Sequence, residues 1–262
     1  MTGSDVTAVT RPASRLITRG DLAAKRALDA ISACIFLVLL SPLLLVIGTA
    51  VRLGSPGPIF YRARRVGFHG EELPILKFRK MHRDVSGPPL TVSDDQRLTR
   101  VGRFLATSKL DEVPQLWQVV TGEMSLVGPR PEDSSFVSLY PEAYARITQV
   151  KPGITGLAQL AFAEEGRILD REDRMGHYVE RLLPQKVQLD LLYARERSLL
   201  MDLRILLWTA ATVFVRRDVA VHRETGRLTL RRRRLRSQSE ETTQRAPDEV
   251  VLSLGSPSPV SE

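Results

Sequence analysis

The 262-residue sequence predicts an α+β, mostly helical protein attached to a membrane, and three observations carry that expectation. An uncharged run of 22 residues extends from Ala30 to Val51. Two short β-prone runs flank the turn residues Gly67 to Gly70, and a helical pattern opened by Pro114 is closed by Gly122. With 43% hydrophobic residues the chain can supply a core for one sizeable domain plus tails. The single cysteine, Cys34, excludes an internal disulfide. The four histidines (His69, His82, His177, His222) show no ligand-like spacing, which argues against structural zinc. The net charge of +8 is uneven, because nine arginines lie between residues 216 and 236 against Asp218 and Glu224. There are no internal repeats.

As a helix, residues 30 to 51 would reach roughly 33 Å, about one hydrocarbon core. A spanning helix is the plain reading, and a signal peptide fits worse because the apolar run exceeds the usual h-region. Two features favour a different path. Ser41-Pro42 falls near the middle, where proline removes a helical hydrogen bond. Basic residues flank both ends, with Arg19, Lys25 and Arg26 before and Arg52, Arg62, Arg64 and Arg65 after, so both ends favour the cytoplasmic side. A helix that enters one leaflet, bends at Ser41-Pro42 and returns satisfies both, with the serine hydroxyl serving a backbone group that the proline frees. Composition alone prefers the span, since transmembrane helices tolerate proline; both paths stay open.

Beyond this segment, Ile59 to Tyr61 and Leu73 to Arg79 read as the strands of a hairpin. Period-two alternation puts Lys77 and Arg79 on one face and Leu76 and Phe78 on the other. A solvated strand face is the commoner explanation of such a cation pair. In "KLDEVPQLWQVVTGEMSLVGPRPE", residues 109 to 132, Pro114 suits a first helical turn and places Asp111 and Glu112 at the amino end of that helix. Acidic residues there commonly cap N–H groups, although a helix start also attracts phosphate. Arg130 stands between Pro129 and Pro131, both with fixed φ, a rigid presentation that suits either an exposed turn or a phosphate contact. "KPGITG", Lys151 to Gly156, is another turn-rich loop.

Taken in order, the Ser-Pro pair in the apolar run, "GPIFYRARRVG", "KFRKM", "LDEVPQLWQVVTGEMSLVGPRP" and "KPGITGLAQ" resemble the bacterial sugar transferase family, the small monotopic polyprenyl-phosphate phosphoglycosyl transferases. The resemblance covers roughly residues 20 to 215. It implies transfer of a sugar-1-phosphate from a UDP-sugar donor to a polyprenyl phosphate acceptor such as undecaprenyl phosphate, with release of UMP, at the start of exopolysaccharide or related glycan assembly. It also implies a re-entrant helix broken at Ser-Pro and a catalytic domain on the cytoplasmic face of the bacterial inner membrane. The expected layout is a disordered tail over 1–18, the re-entrant helix over 19–53 and the catalytic domain with interfacial helices over 54–216. A basic segment over 217–236 and a disordered tail over 237–262 complete it.

By the same resemblance Asp111 and Glu112 match the catalytic pair, with Asp111 as nucleophile and Glu112 as Mg²⁺ ligand or base. Lys77, Arg79, Lys109, Gln115 and Arg130 are the expected substrate contacts, and the two carboxylates are the expected Mg²⁺ site. Cations are needed because an anion attacks a diphosphate. The chain departs from the family pattern at Ala106, commonly arginine, and at Lys109, commonly serine. "RARRVG" replaces the usual "RQERVG", and Leu157 with "QLAFAEEGR" replaces a tryptophan and "QVNGR" where sugar contacts are expected. Near the carboxyl end only eleven uncharged residues separate Arg204 from Arg216, too few to span, so an interfacial helix with Trp208 and Phe214 towards lipid is expected. Beside a membrane, "RLTLRRRRLR" points to anionic lipids and to no nucleic acid. A homo-oligomer stays open. The rival reading is a non-catalytic membrane-attached scaffold that binds a partner or nucleic acid through this arginine-rich segment.

Overall fold

The structure, a computed structural model, describes residues 18–83, 85, 87, 90, 95–163, 173–215, 219–222 and 225–230. Apart from Thr18, the expected amino-terminal tail lies outside the described residues, as do the 237–262 tail and much of the basic segment.

Helix α1 (Arg19–Gly54) opens on a capping box in which the Thr18 hydroxyl accepts the Asp21 N–H and the Asp21 carboxylate accepts the Thr18 N–H. It is helical from end to end with Pro42 inside it, so the feature expected at Ser41-Pro42 opens no gap in the helix. The reason is local. Pro42 lacks the N–H that would reach the carbonyl four residues back, and the Ser41 hydroxyl donates to that Val38 carbonyl at 2.8 Å instead. One stripe faces the protein, with Asp29, Ala33, Ile47, Gly48 and Val51 buried and Leu37, Leu40 and Leu44 packed beside them. The other faces are bare: Val38 is 72% exposed and Leu45 72%, too much apolar surface for water to solvate cheaply.

Both ends of α1 are fastened. Near its start, Lys25 lies 2.7 Å from Asp202 and donates to the Val127 carbonyl at 3.2 Å. The Asp29 carboxylate accepts the Ser125 hydroxyl at 2.6 Å, and the Tyr193 hydroxyl lies 2.6 Å from Asp202 and 3.0 Å from the Val127 carbonyl. Arg26 donates to the Val119 and Val120 carbonyls at the end of α3 (Gln115–Thr121). Near the other end, Ile47 and Val51 pack with Phe78 and Leu105.

The predicted hairpin is present as β1 (Phe60–Val66) and β2 (Glu72–Phe78), antiparallel from Phe60 opposite Phe78 to Val66 opposite Glu72. The first strand is longer than the run Ile59 to Tyr61 suggests. Its charged residues are tolerated because Arg62 and Arg64 point outward while Ala63 between them is buried. Helix α2 (Arg100–Ser108), capped by Thr99, leads through a 3₁₀ turn at Leu110–Glu112 into α3, which Gly122 ends at φ 88° as predicted.

A parallel pair follows, β3 (Ser125–Val127) with β4 (Gly153–Thr155), separated by α4 (Ser134–Val137) and α5 (Pro141–Ile147). The loop Gly128 to Pro131 leaves β3 in close contact with the "KPGITG" turn. Gly128 N–H donates to the Thr155 carbonyl and Gly153 N–H to the Pro129 carbonyl, each at 2.9 Å. A Cβ on Gly153 would stand 2.0 Å from the Gly128 nitrogen. "KPGITG" is thus a glycine-lined bed for the arginine loop.

The main core gathers Ala33, Ile75, Val119, Val127, Leu157 and Tyr193 among others. Helix α6 (Leu157–Ala161) is followed by α7 (Arg174–His177), a π-helical turn at Tyr178–Leu182, α8 (Leu183–Glu196) and α9 (Leu199–Val215). A short antiparallel pair, Val219–Val221 with Leu228–Leu230, ends the described chain. Leu157, expected near sugar contacts, is a core residue. Trp208 also departs from expectation: it packs on the main core one turn from buried Ile205, and Leu200, Leu203 and Leu207 form the bare face of α9. The Phe214 side chain lies outside the described residues.

Asp202→Ala should remove the partner of a part-buried lysine and cost about 3 kcal/mol, read as a lower denaturation midpoint in detergent. Gly153→Ala should cost about 1–3 kcal/mol because the atoms it meets are backbone. Gly20→Ala, whose new Cβ would come no nearer than 3.5 Å to another atom, should be neutral or slightly stabilising in the same measurement.

Candidate active site

Lys109 ends α2 in the left-handed region at φ 59°, which turns the chain so that Leu110–Glu112 starts a new direction. The carboxylate pair therefore rides on a separate 3₁₀ turn ahead of α3, not on the first turn of α3 itself. Residues on a 3₁₀ turn project about 120° apart, so the two carboxylates meet different cations. Asp111, only 2% exposed, has its Oδ2 3.1 Å from Lys80 Nζ. Glu112 Oε1 accepts a hydrogen bond from Lys77 Nζ at 2.7 Å and lies 3.4 Å from Arg130 Nη2. Strand β2 delivers Lys77, its continuation delivers Lys80, and the loop after β3 delivers Arg130.

These charges shape one another. Burial alone would raise the Glu112 carboxyl, but Lys77 and Arg130 together hold it well below the usual carboxylate range. Lys77 is lowered, chiefly by burial, with Arg130 adding to the effect and Glu112 opposing it. Glu112 is thus an anion at any working pH, poised between two cations.

The other expected contacts are held differently. Arg79 is buried, and its guanidinium donates to the Pro56 carbonyl at 2.6 Å and the Ser55 carbonyl at 2.7 Å. It thereby satisfies carbonyls at the end of α1, because beyond Phe78 the strand alternation that paired it with Lys77 no longer holds. Gln115 is buried at the start of α3. Lys109 is exposed, and its charge adds to the lowering of Glu112. Lys80 carries one sequence signal, the third cation of "KFRK" after the strand. Glu132 and Asp190 are buried and belong to no motif of the sequence.

Two cavities flank the hairpin, and Lys77 and Lys80, which pair with the carboxylates, line one of them. One, of about 730 Å³, is lined by Lys77 and Lys80 together with Arg64, Arg79, Arg83 and Arg97. The other, of about 620 Å³, is an apolar groove between α1, the hairpin and α3, lined by Leu44, Leu45, Gly48, Ile59, Pro114 and Trp117. Phe60 and Phe78 line both, and their rings stack with centroids 5.3 Å apart. Among the described residues no group of three or more His, Cys, Asp or Glu side chains could hold a metal ion.

Cations around paired carboxylates, beside a basic cavity and an apolar groove, can stabilise an anionic reaction centre in contact with a lipid. The comparisons with known proteins agree in kind. The chain is 40% identical over 195 residues to the UDP-glucose:undecaprenyl-phosphate glucose-1-phosphate transferase of Caulobacter vibrioides, covering 72% of this chain and 69% of that protein. It is 38% identical over 197 residues to the protein of the same name from Escherichia coli, covering 73% of this chain but 40% of that longer protein. With the exopolysaccharide production protein PSS of Rhizobium leguminosarum it shares 35% identity over 206 residues, 75% of this chain and 98% of that one. Against several of these relatives the chain spans about two-fifths of their length. Residues 20–216 match the bacterial sugar transferase family, and the chain belongs to it.

Proposed function

We propose that this chain transfers a sugar-1-phosphate from a UDP-sugar to undecaprenyl or another polyprenyl phosphate, through a covalent intermediate on Asp111, and so initiates exopolysaccharide or related glycan assembly. The observation that carries the reading is the grouping of Asp111 and Glu112 with Lys77, Lys80 and Arg130, the two lysines also lining a basic cavity that shares Phe60 and Phe78 with an apolar groove. The names of the similar proteins supply the donor and acceptor classes.

In the first half-reaction an Asp111 carboxylate oxygen attacks the phosphorus that bears the sugar. The bond from that phosphorus to the bridging oxygen breaks and UMP leaves, without a proton transfer. In the second, an oxygen of the polyprenyl phosphate attacks the same phosphorus, the aspartyl–phosphate bond breaks and Asp111 is regenerated. Lys77, Lys80 and Arg130 neutralise the phosphoryl oxygens throughout. The groove suits the first isoprene units of the acceptor, and the cations across Phe60 and Phe78 suit its phosphate. The donor set fits Mg²⁺, which takes one or two carboxylates and completes its shell with substrate phosphates. Glu112, with Asp111 beside it, would hold the ion, and the ion would supply further neutralisation of phosphate charge.

The membrane arrangement we propose is re-entrant. The uncharged run packs on the same body at Ala33 and at Val51, and a body that borders both ends of the run cannot stand on one side of a bilayer that the run crosses. The amino terminus and the catalytic region then share the cytoplasmic face.

Donor hydrolysis tests the chemistry. With UDP-sugar and no acceptor, the chain should release a UMP burst close to one equivalent and gain the mass of a sugar-phosphate on the Asp111 peptide. Asp111→Asn should abolish the burst, since an amide is a far poorer nucleophile. Glu112→Gln should keep a slow burst, about 10²-fold down, that recovers in part with added Mg²⁺. An adduct on another residue would return Asp111 to an ordinary buried carboxylate.

Cysteine labelling tests the topology. A cysteine placed at Thr7 in a Cys34→Ser background should resist an impermeant maleimide applied to intact cells and react once they are broken. Strong labelling of intact cells would sink the re-entrant arrangement.

A further inference from the structure

The apolar groove holds one charged residue that the proposed chemistry does not use. Among the side chains that line it, from Leu37 to Leu53 on α1 and from Ile59 to Trp117 across the hairpin and α3, only Arg52 carries a charge. The two hydroxyls in the lining are already engaged, Ser41 with the Val38 carbonyl at 2.8 Å and Thr49 with the Leu45 carbonyl at 2.9 Å. Arg52 is exposed, and among the described residues no hydrogen bond or ion pair holds its guanidinium.

The plain reason for an arginine in the last turn of a helix is to answer the free carbonyls there. At the end of α1 that task belongs to Arg79, whose guanidinium donates to the Ser55 and Pro56 carbonyls. Gly48, four residues before Arg52 and so on the same face, sits against the hairpin: a Cβ there would stand 3.5 Å from Ile59 and 3.9 Å from Phe78. Val51, the residue before Arg52, packs with Phe78 and Leu105, and Leu110, the residue before Asp111, packs on the same cluster. The charged end of the groove therefore lies beside the turn that carries Asp111.

Along α1 the groove runs from Leu37 to Leu53, roughly 24 Å as a helix rises. In the re-entrant arrangement Ser41-Pro42 lies deepest and Arg52 stands at the headgroup level. The polarity of the groove is then that of one lipid lying in it, apolar at depth and matched by a cation at its anionic head. We infer that Arg52 binds the phosphate of the lipid acceptor, an isoprenoid phosphate monoester whose first units fill the groove, and so selects the phosphorylated lipid over the corresponding alcohol. Lys77, Lys80 and Arg130 surround the phosphoryl group carried by the donor. A second anion arrives with the acceptor, and Arg52 meets it from the groove side.

This inference rests on the transferase reading, and the experiment keeps the two apart. In unaltered protein in neutral detergent, modification of arginines by phenylglyoxal is mapped by peptide mass. Undecaprenyl phosphate should slow modification of Arg52 about tenfold, the size of one charge-assisted hydrogen bond, whereas undecaprenol and phosphatidylglycerol at the same mole fraction should slow it less than about twofold. With the UDP-sugar that gives the UMP burst, Arg52→Gln should lower kcat/KM for undecaprenyl phosphate about tenfold and that for the UDP-sugar less than about twofold, because each ratio reports its own half-reaction. Arg52→Lys, which keeps the charge, should stay within about threefold of wild type in both. Lack of protection by undecaprenyl phosphate would overturn the inference. Equal protection by phosphatidylglycerol would do the same and leave Arg52 an anchor to bulk headgroups, and so would equal losses in the two ratios for Arg52→Gln. Protection is read without any substitution, so it decides the matter if Arg52→Gln fails to fold. Absence of a UMP burst from wild type with every UDP-sugar is the distinct result that would remove the transferase reading, while protection would still report whether Arg52 holds the lipid phosphate.

Discussion

Lys25 is bonded to Asp202 and the Val127 carbonyl near one end of α1, and Arg79 holds the Ser55 and Pro56 carbonyls just past the other. Between these fastenings the helix buries only a narrow stripe and leaves residues such as Val38 and Leu45 bare. An apolar helix clamped along a polar body has to satisfy water and lipid at once. The remaining features follow from that constraint. The apolar groove exists because Leu44, Leu45 and Gly48 stand opposite Ile59 and Trp117, and the basic cavity adjoins it because the hairpin that walls the groove also carries Lys77. Phe60 and Phe78 of that hairpin line the groove on one side and the basic cavity on the other.

The same fastening explains the arginine loop. Val127, whose carbonyl meets both Lys25 and Tyr193, is the last residue of β3, and the next residue, Gly128, begins the loop. Gly128 and Gly153 then pack backbone on backbone, which no side chain would permit. Movement of α1 would be felt at Arg130 through three residues of strand and a glycine contact. Rigid support of this kind is what an electrostatic site needs, because a cation already in place spends no reorganisation energy when charge develops.

Much of this was legible in the sequence, and the reasons for the rest are physical. Turn residues marked the hairpin and Gly122 marked the end of α3, because local backbone chemistry sets both. The carboxylate pair, Lys77 and Arg130 were named from motifs, and they do meet. Arg79 was read as a strand-face partner of Lys77, but periodicity describes a strand only while the strand lasts. Trp208 was assigned to lipid because aromatic residues favour interfaces, yet a helix of mixed apolar residues does not announce which face its neighbours will cover. Lys80 depends on a contact across 31 residues of sequence, to Asp111, and no local pattern records such a distance.

The division of the carboxylates has a further consequence for the proposed reaction. At 2.7 to 3.4 Å, each charge contact is worth several kcal/mol at an effective dielectric near 20, about 332/(20 × 3) or roughly 5 kcal/mol before desolvation is counted. A diphosphate entering the basic cavity competes for the same lysines. As Lys80 turns to a phosphoryl oxygen, Asp111 loses its ion pair and becomes the more reactive nucleophile at the moment its target arrives. Glu112 keeps Arg130, and it is the carboxylate that would hold a Mg²⁺ ion, which would add to the neutralisation of phosphate charge. Paired with separate cations, the two carboxylates are held against self-repulsion and are free to take the two different roles of the proposed reaction. A single lysine shared by both could not separate those roles, and the 3₁₀ turn, by pointing successive side chains to different strand positions, makes two lysines available.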